Sequence, residues 1–256
     1  MNNGKHAHRG EKFKQFQRET YNHLYSDFQF ALHKIHNPFR RYFEHHIVSL
    51  ALEGLERTEE MSCLDMGCGQ GITTHVLSSH FQQVVGVDFA HAAVKTASAL
   101  LHATETNNAS VMVGDVDNLG ITRGSVDVVH FKDFLHHTVD PLGAMENLRE
   151  VSRHGHVLGA EVNGRSPVMG LFGRLAEHER GLLDSNREWL GNLALAAGFK
   201  KIRIKEFSFH PYPFRLPVIG HRRVGYLLPV VRAAETLLLK TPLRRYANYL
   251  VFHASS

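Results

Sequence analysis

Apolar side chains recur at two different spacings along this chain, and the change falls near residue 60. Before it, Leu24, Phe28, Leu32 and Ile35 lie three or four positions apart. That spacing predicts a helix over 13–35, after a loose polar tail at 1–12. Asn37-Pro38 reads as the start of a second helix, with asparagine as N-cap and proline in the first turn. Phe39, Phe43, Ile47, Ala51 and Leu55 then keep to one face of it. Past residue 60 the apolar runs shorten and predict strands at 62–66, 83–88, 110–114, 126–131, 156–162, 200–209 and 247–253. Helical stretches lie between them at 72–81, 90–103 and 141–154. A further helix runs from the Ser185-Asn186 cap to Ala197, where Gly198 ends it. Strand and helix in alternation predict an α/β fold, an open and mostly parallel sheet covered on both faces.

Length and composition narrow this reading. A chain of 256 residues, 43% hydrophobic and 21% charged, suits one α/β domain with attached helices and buries its own core without staples. Cys63 and Cys68 stand five positions apart at a strand end, so reduced thiols are expected, and two cysteines make no zinc site. The twenty histidines are scattered, with no HExxH pair, and read as solvated or half-buried imidazoles with no metal. No apolar run reaches the roughly 18 residues of a membrane span. The polar start, residues 1–11, lacks a signal core, so a cytoplasmic enzyme is expected. The net charge of +4 is local: residues 211–246 hold seven basic side chains (Arg215, Arg222, Arg223, Arg232, Lys240, Arg244, Arg245) and one acid, Glu235.

The chemistry concentrates at Leu64-Asp65-Met66-Gly67-Cys68-Gly69-Gln70-Gly71, a glycine-rich turn between a strand and a helix. Glycines there let backbone approach a ligand closely, and the helix start offers free N–H groups to an anion. Ile72 stands where a dinucleotide fingerprint wants glycine. Asp88 ends the next strand 17 positions after Gly71. It reads as an acceptor for both hydroxyls of a ribose, or as the cap of the helix that follows.

With these residues the stretch 61–163 resembles the common methyltransferase domain of the class I S-adenosylmethionine (SAM)-dependent methyltransferases. Asp65 to Gly71 matches that family's D-x-G-x-G-x-G loop, and Asp88, with Phe89 beside it, its ribose-binding acid. Gly114-Asp115-Val116 resembles its G-D-[AV] turn, where Asp115 either meets the adenine amino group or merely caps a turn. Residues 126–131 resemble its fourth strand, and Leu135-His136-His137 with Asp140-Pro141 its L-H-H-x-x-D-P turn. The resemblance implies a Rossmann-like sheet of seven strands, SAM as cofactor and S-adenosylhomocysteine (SAH) as product. Gly67, Cys68, Gly69 and Gly71 would position the methionine end, and backbone carbonyls of Phe131 and Lys132 a ligand ammonium. A departure is Arg153-His154-Gly155-His156, where the family often has K-P-G-G.

His136 and His137 are the candidate general bases, or else anchors of their loop. No N-P-P-Y follows the fourth strand and no Pro-Cys pair exists, which argues against nucleic acid as acceptor. A small-molecule or lipid-like acceptor is expected, held under a helical cap at 1–60 and a lid-like insertion at 210–246 in the methyltransferase domain 61–256. That insertion reads as a helical cover, a peripheral membrane surface, or an oligomer contact. The rival readings are a SAM-binding enzyme of the same fold that does not methylate, and a non-catalytic SAM-binding protein.

Overall fold

The computed structural model describes residues 3–209 and 228–256, with side chains from residue 10 onward. The lid-like segment therefore lies partly outside the described residues, including Arg215, Arg222 and Arg223.

Seven strands form one sheet: β1 (Ser62–Met66), β2 (Gln83–Asp88), β3 (Ala109–Val113), β4 (Val126–Lys132), β5 (Ser152–Val162), β6 (Lys201–Phe207) and β7 (Tyr249–Ser255). Their order is β3-β2-β1-β4-β5-β7-β6. β1 to β5 pair in parallel, and β7 enters antiparallel between β5 and β6. The order reverses beside β1, where β1 feeds β2 on one side and β4 lies on the other. Open α/β sheets bind ligands at such a point, outside the carboxyl ends of the strands.

Alternate residues of the central strands supply two cores. On one face Val84, Val128, Leu158 and Val251 pack under α3 (Pro38–Leu52) and α4 (Ile72–Leu77). On the other, Leu64, Val129, Phe131, Val157 and Phe252 meet α6 (Pro141–Val151) and α8 (Arg187–Ala196). A side chain fully buried in this way stabilises the fold by about 1.5–3 kcal/mol, so a slip of one residue in register would be costly.

Helix α5 (His91–Ala103) follows β2, and α7 (Pro167–Leu175) follows β5. After α7 comes a 3-10 helix at Glu177–Leu183. Helix α9 (Leu228–Leu239) and a 3-10 turn at Pro242–Tyr246 lead into β7.

Three expectations need correction. The N-terminus is no loose tail, because α1 spans Asn3–Leu24. The predicted 13–35 helix is two: Asp27, extended and accepting from the Phe30 N–H, caps a separate α2 (Phe28–His36). Helix α6 ends at Val151, and β5 begins at once at Ser152, because residues 152–155 continue toward β4 in place of a helical turn. Sequence periodicity also passed over α7 and the 3-10 helix after it, which are short and interrupted by glycine.

Helix α1 lies across the carboxyl edge of the sheet and is tied to the loop after each parallel strand. Gln70, after β1, donates to the Tyr25 and Asp27 carbonyls at the end of α1. Asn22 accepts from the Ala92 N–H after β2. Lys14 pairs with Asp115 after β3, Tyr21 meets His137 after β4, and Gln17 donates to the His178 carbonyl after β5.

Candidate active site

Under α1 lies a cavity of about 940 Å³, at the upper end of what ligand sites usually enclose. Its floor on the β1–β3 side holds the acids and glycines expected to meet a nucleotide. Gly67, Cys68, Gly69, Asp65, Asp88, Phe89, Gly114, Asp115, Val116 and Lys132 all line it. Gly71 and Phe131 do not. The Phe131 side chain is fully buried against Phe134 and Phe252. Gly71, at φ 78, is where a Cβ would come within 2.8 Å of Ala97, so its role is to let α4 and α5 close together. At Gly69, φ 53, a Cβ would instead press to 3.3 Å on the Tyr25 ring at the cavity wall.

The acids differ in what they can still offer. Asp65 is spent on the fold, since His130 Nδ1 lies 2.8 Å from Oδ1 and Thr74 donates to Oδ2 at 2.6 Å. Asp65 thereby braces the strand end and helix α4 on either side of the glycine loop, at the cavity lining. Asp88 accepts from the Gly69 N–H at 2.8 Å and from the Ala90 N–H at 2.9 Å. Asp88 is not the helix cap, because Ala90 holds that position with no side-chain cap hydrogen bond. The carboxylate braces its own turn and the glycine loop, and each oxygen keeps a further lone pair beside the cavity. Burial pushes the Asp88 carboxyl up to about 6, against the two backbone hydrogen bonds. Asp115 pairs with Lys14 at 3.0 Å and also accepts from the Asp117 N–H. It caps its own turn and ties down α1. Two acids at the ends of neighbouring strands and a glycine loop close to them fit a nucleoside with an amino-acid tail.

Beyond β4 the site changes character. Glu161, fully buried on β5, accepts from the Phe134 N–H at 2.8 Å and the Leu135 N–H at 2.6 Å. Its second oxygen lies 2.6 Å from His136 Nδ1, and His136 Nε2 is 3.3 Å from Glu179. Burial alone would lower the His136 pKa, but the two carboxylates outweigh it and raise it to about 10. Burial would likewise raise Glu179, yet the imidazoles bring it down to about 2. His136 is thus an imidazolium clamped between two carboxylates, and the reading of it as a base is corrected: both nitrogens are engaged.

His137 is its opposite. Burial, and then the His136 cation with rings 3.9 Å apart, push it down to about 3, so it is neutral at pH 7. The Tyr21 hydroxyl lies 2.9 Å from its Nε2, and burial raises the phenol well above its ordinary value. The phenol donates and the neutral imidazole accepts. Donor atoms of His136, His137 and Glu179 come within 4.8 Å of one another. Tyr21, Glu161 and Glu179 carried no signal in the sequence, because each is far along the chain from the histidines it meets.

The remaining wall, on the β5–β7 side, is largely apolar, with Arg40 among Phe39, Val162, Met169, Phe172, Leu182 and Tyr249. The cavity thus joins a nucleotide-binding half to an apolar half, with the Tyr21–His137 pair between them. This is the layout of an enzyme that presents a bound nucleoside reagent to a small second substrate.

Comparison with known proteins bears on which reagent. Residues 64–158 match the "Methyltransferase domain" family. The ubiquinone biosynthesis O-methyltransferase of Paracidovorax citrulli is 26% identical over 225 residues, 82% of this chain and 89% of that protein. Phosphoethanolamine N-methyltransferase 2 of Haemonchus contortus, solved with SAM, has the same fold (TM-score 0.60, 19% identity). The match covers 82% of this chain, which spans about half of that one, 52%. A possible histamine N-methyltransferase from Thermotoga maritima matches with TM-score 0.58 and 15% identity, over 92% of this chain and 99% of that one. The chain carries a methyltransferase domain, and it is a SAM-dependent methyltransferase that acts on a small molecule. SAM is the cofactor and SAH the product.

Two outcomes follow from the titrating groups. If the Asp88 carboxylate accepts the ribose hydroxyls, SAM affinity measured by calorimetry is expected to weaken as pH falls through about 6. Asp88→Asn is expected to cost about ten- to a hundred-fold in affinity at pH 8 and to flatten that pH dependence. Affinity independent of both would leave Asp88 a brace of the glycine loop only. The folded pKa of His136 lies above its ordinary 6.5, so its stabilisation is complete below about 6.5 and lost as pH rises through about 10. His136→Asn is expected to cost roughly 3–5 kcal/mol near neutral pH and to reduce the fall in melting temperature from pH 7 to 10.

Proposed function

We propose that the enzyme methylates an oxygen of a small, largely apolar acceptor, and that the Tyr21–His137 pair receives the acceptor proton. The contact between Tyr21 and His137 at 2.9 Å, at the seam of the two halves, carries this reading. The named activity of the Paracidovorax relative favours oxygen. Bound SAM supplies a methyl group on a sulfonium, already activated for displacement. The chain has to align the acceptor and take its proton. With His137 near 3, taking a proton from an intact phenol of pKa ≈ 10 would be uphill by on the order of 10 kcal/mol. An oxygen that is gaining a methyl group becomes a far stronger acid than an imidazolium. His137, through Tyr21, then receives the proton downhill, so the proton leaves as the methyl arrives. The neighbouring His136 cation keeps His137 unprotonated and ready.

A matched series of probes tests the nucleophile: para-butylphenol, para-butylaniline, para-butylbenzoate and para-butylbenzenethiol, each with methyl-labelled SAM. The phenol is expected to be methylated fastest, and preference for the aniline or thiol would overturn the oxygen assignment. Tyr21→Phe and His137→Ala are expected to lower kcat about 10²–10⁴-fold, with SAM affinity kept. A parallel loss of melting temperature would make the pair a loop anchor instead.

A lipid-like acceptor met at a membrane surface is the finer form of this proposal. The apolar wall supports the first part. For the second, Val230, Leu237, Leu243 and Tyr246 are exposed apolar side chains beside Lys240, Arg244 and Arg245. Arg232 is already stacked 4.8 Å over the Tyr42 ring, and Glu235 is buried, so the outer cations carry the argument. Each cation near an anionic bilayer contributes about 1 kcal/mol. The protein is expected to cosediment with anionic but not neutral liposomes, less so in high salt, and Lys240, Arg244 and Arg245→Gln to weaken it. Indifference to anionic vesicles at low salt would end this idea. No helix among the described residues is long and apolar enough to cross a membrane.

A further inference from the structure

We infer that Asp133 is an acceptor-binding residue, whose carboxylate takes a hydrogen bond from a donor group on the acceptor. The enzyme would then select molecules that carry an O–H or N–H next to an apolar body. The inference rests on the methyl-transfer reading above and names the chemistry the acceptor must show.

Asp133 follows β4 at the carboxyl edge of the sheet, with φ 51, a left-handed conformation that few residues other than glycine adopt. Strain of this kind persists only where the surroundings impose it, and it gathers at functional sites. Here the Asp133 N–H donates to the Ala160 carbonyl at 3.0 Å, and Glu161 fixes the next two N–H groups. The turn directs the chain so that Asp133 lines the cavity.

Its oxygens are poorly provided for. Oδ1 is buried and has no hydrogen-bond partner among the described residues. Oδ2 lies 3.3 Å from Lys132 Nζ, and that ammonium is also 3.4 Å from Glu44. One lysine thus serves two carboxylates. A buried carboxylate oxygen left in this way is costly, and a ligand that brings a donor removes the cost. Burial, with Glu161 nearby, raises the Asp133 pKa accordingly.

The electrostatic neighbours say which ligand. Asp133 acts on Tyr249 of β7 and feels Arg40 of α3, and it also acts on Tyr21 of α1 and Tyr25 just after it. All four line the cavity. The nucleotide acids Asp88 and Asp115 sit at the ends of β2 and β3, across β1 from it. The free lone pairs of Asp133 therefore open at the border of the two halves, on the side away from Asp88 and Asp115 and within reach of an acceptor.

Asp133→Gly and Asp133→Asn both tolerate the left-handed backbone, so each is expected to fold, with SAH affinity by calorimetry unchanged. Binding of para-butylphenol to the SAH complex, and kcat/KM for it, are expected to fall about ten- to a hundred-fold in Asp133→Gly, chiefly through KM. Asp133→Asn, which keeps a carbonyl oxygen, is expected to fall less. In the wild-type SAH complex para-butylphenol and para-butylaniline are expected to bind and para-butylbenzoate to fail. Lost SAH affinity would move the carboxylate to the cofactor half and overturn the inference. Unchanged phenol binding in Asp133→Gly, or no phenol binding to the wild type, would overturn it too. If the wild-type SAH complex binds the phenol but the enzyme methylates none of the probes, the oxygen-transfer reading fails while the binding comparison still decides the role of Asp133.

Discussion

The buried carboxylate of Glu161 is the constraint on which the site depends. A charge taken fully out of water is tolerated only when every oxygen is paired. Two backbone N–H groups and the His136 imidazolium meet that demand. The loop after β4 cannot shift by one residue without leaving this charge uncompensated. Its position in turn sets the left-handed turn at Asp133, the clamp on His136 and the direction in which His137 meets Tyr21.

From that one pairing comes a division of labour between adjacent imidazoles. His136 is held charged by carboxylates on both sides, and its charge holds His137 neutral. Two identical side chains are driven to opposite protonation states by environment, the pattern by which sites separate structural from proton-handling groups. The cation does no chemistry itself. It supplies the field in which its neighbour remains an acceptor.

Helix α1 ties the two halves together. Because it touches the loop after each parallel strand, the nucleotide half and the acceptor half share one roof. Lys14 binds the same Asp115 that an adenine amino group would approach, and Tyr21, two turns further along, meets His137. One helix thus borders both halves of the cavity.

Much of the fold was legible in the pattern of apolar positions. Residues 62–66 and 83–88 are short, mostly buried runs, and their bounds as strands are those of β1 and β2. Asn37 and Asn186 announced helix starts by their capping chemistry. These signals are local: a period, a cap or a glycine turn lies within a few neighbouring residues. The glycine loop, Asp88 and Asp115 were visible for the same reason, as residues at the ends of recognisable strands. What tertiary structure decided was the state and role of each group. That Asp65 is spent on His130 and Thr74, that His136 is charged and His137 neutral, and that Tyr21 stands against His137 all rest on contacts between residues up to 116 positions apart. A pKa depends on burial and on charges within a few ångströms, and only the folded chain brings those charges together.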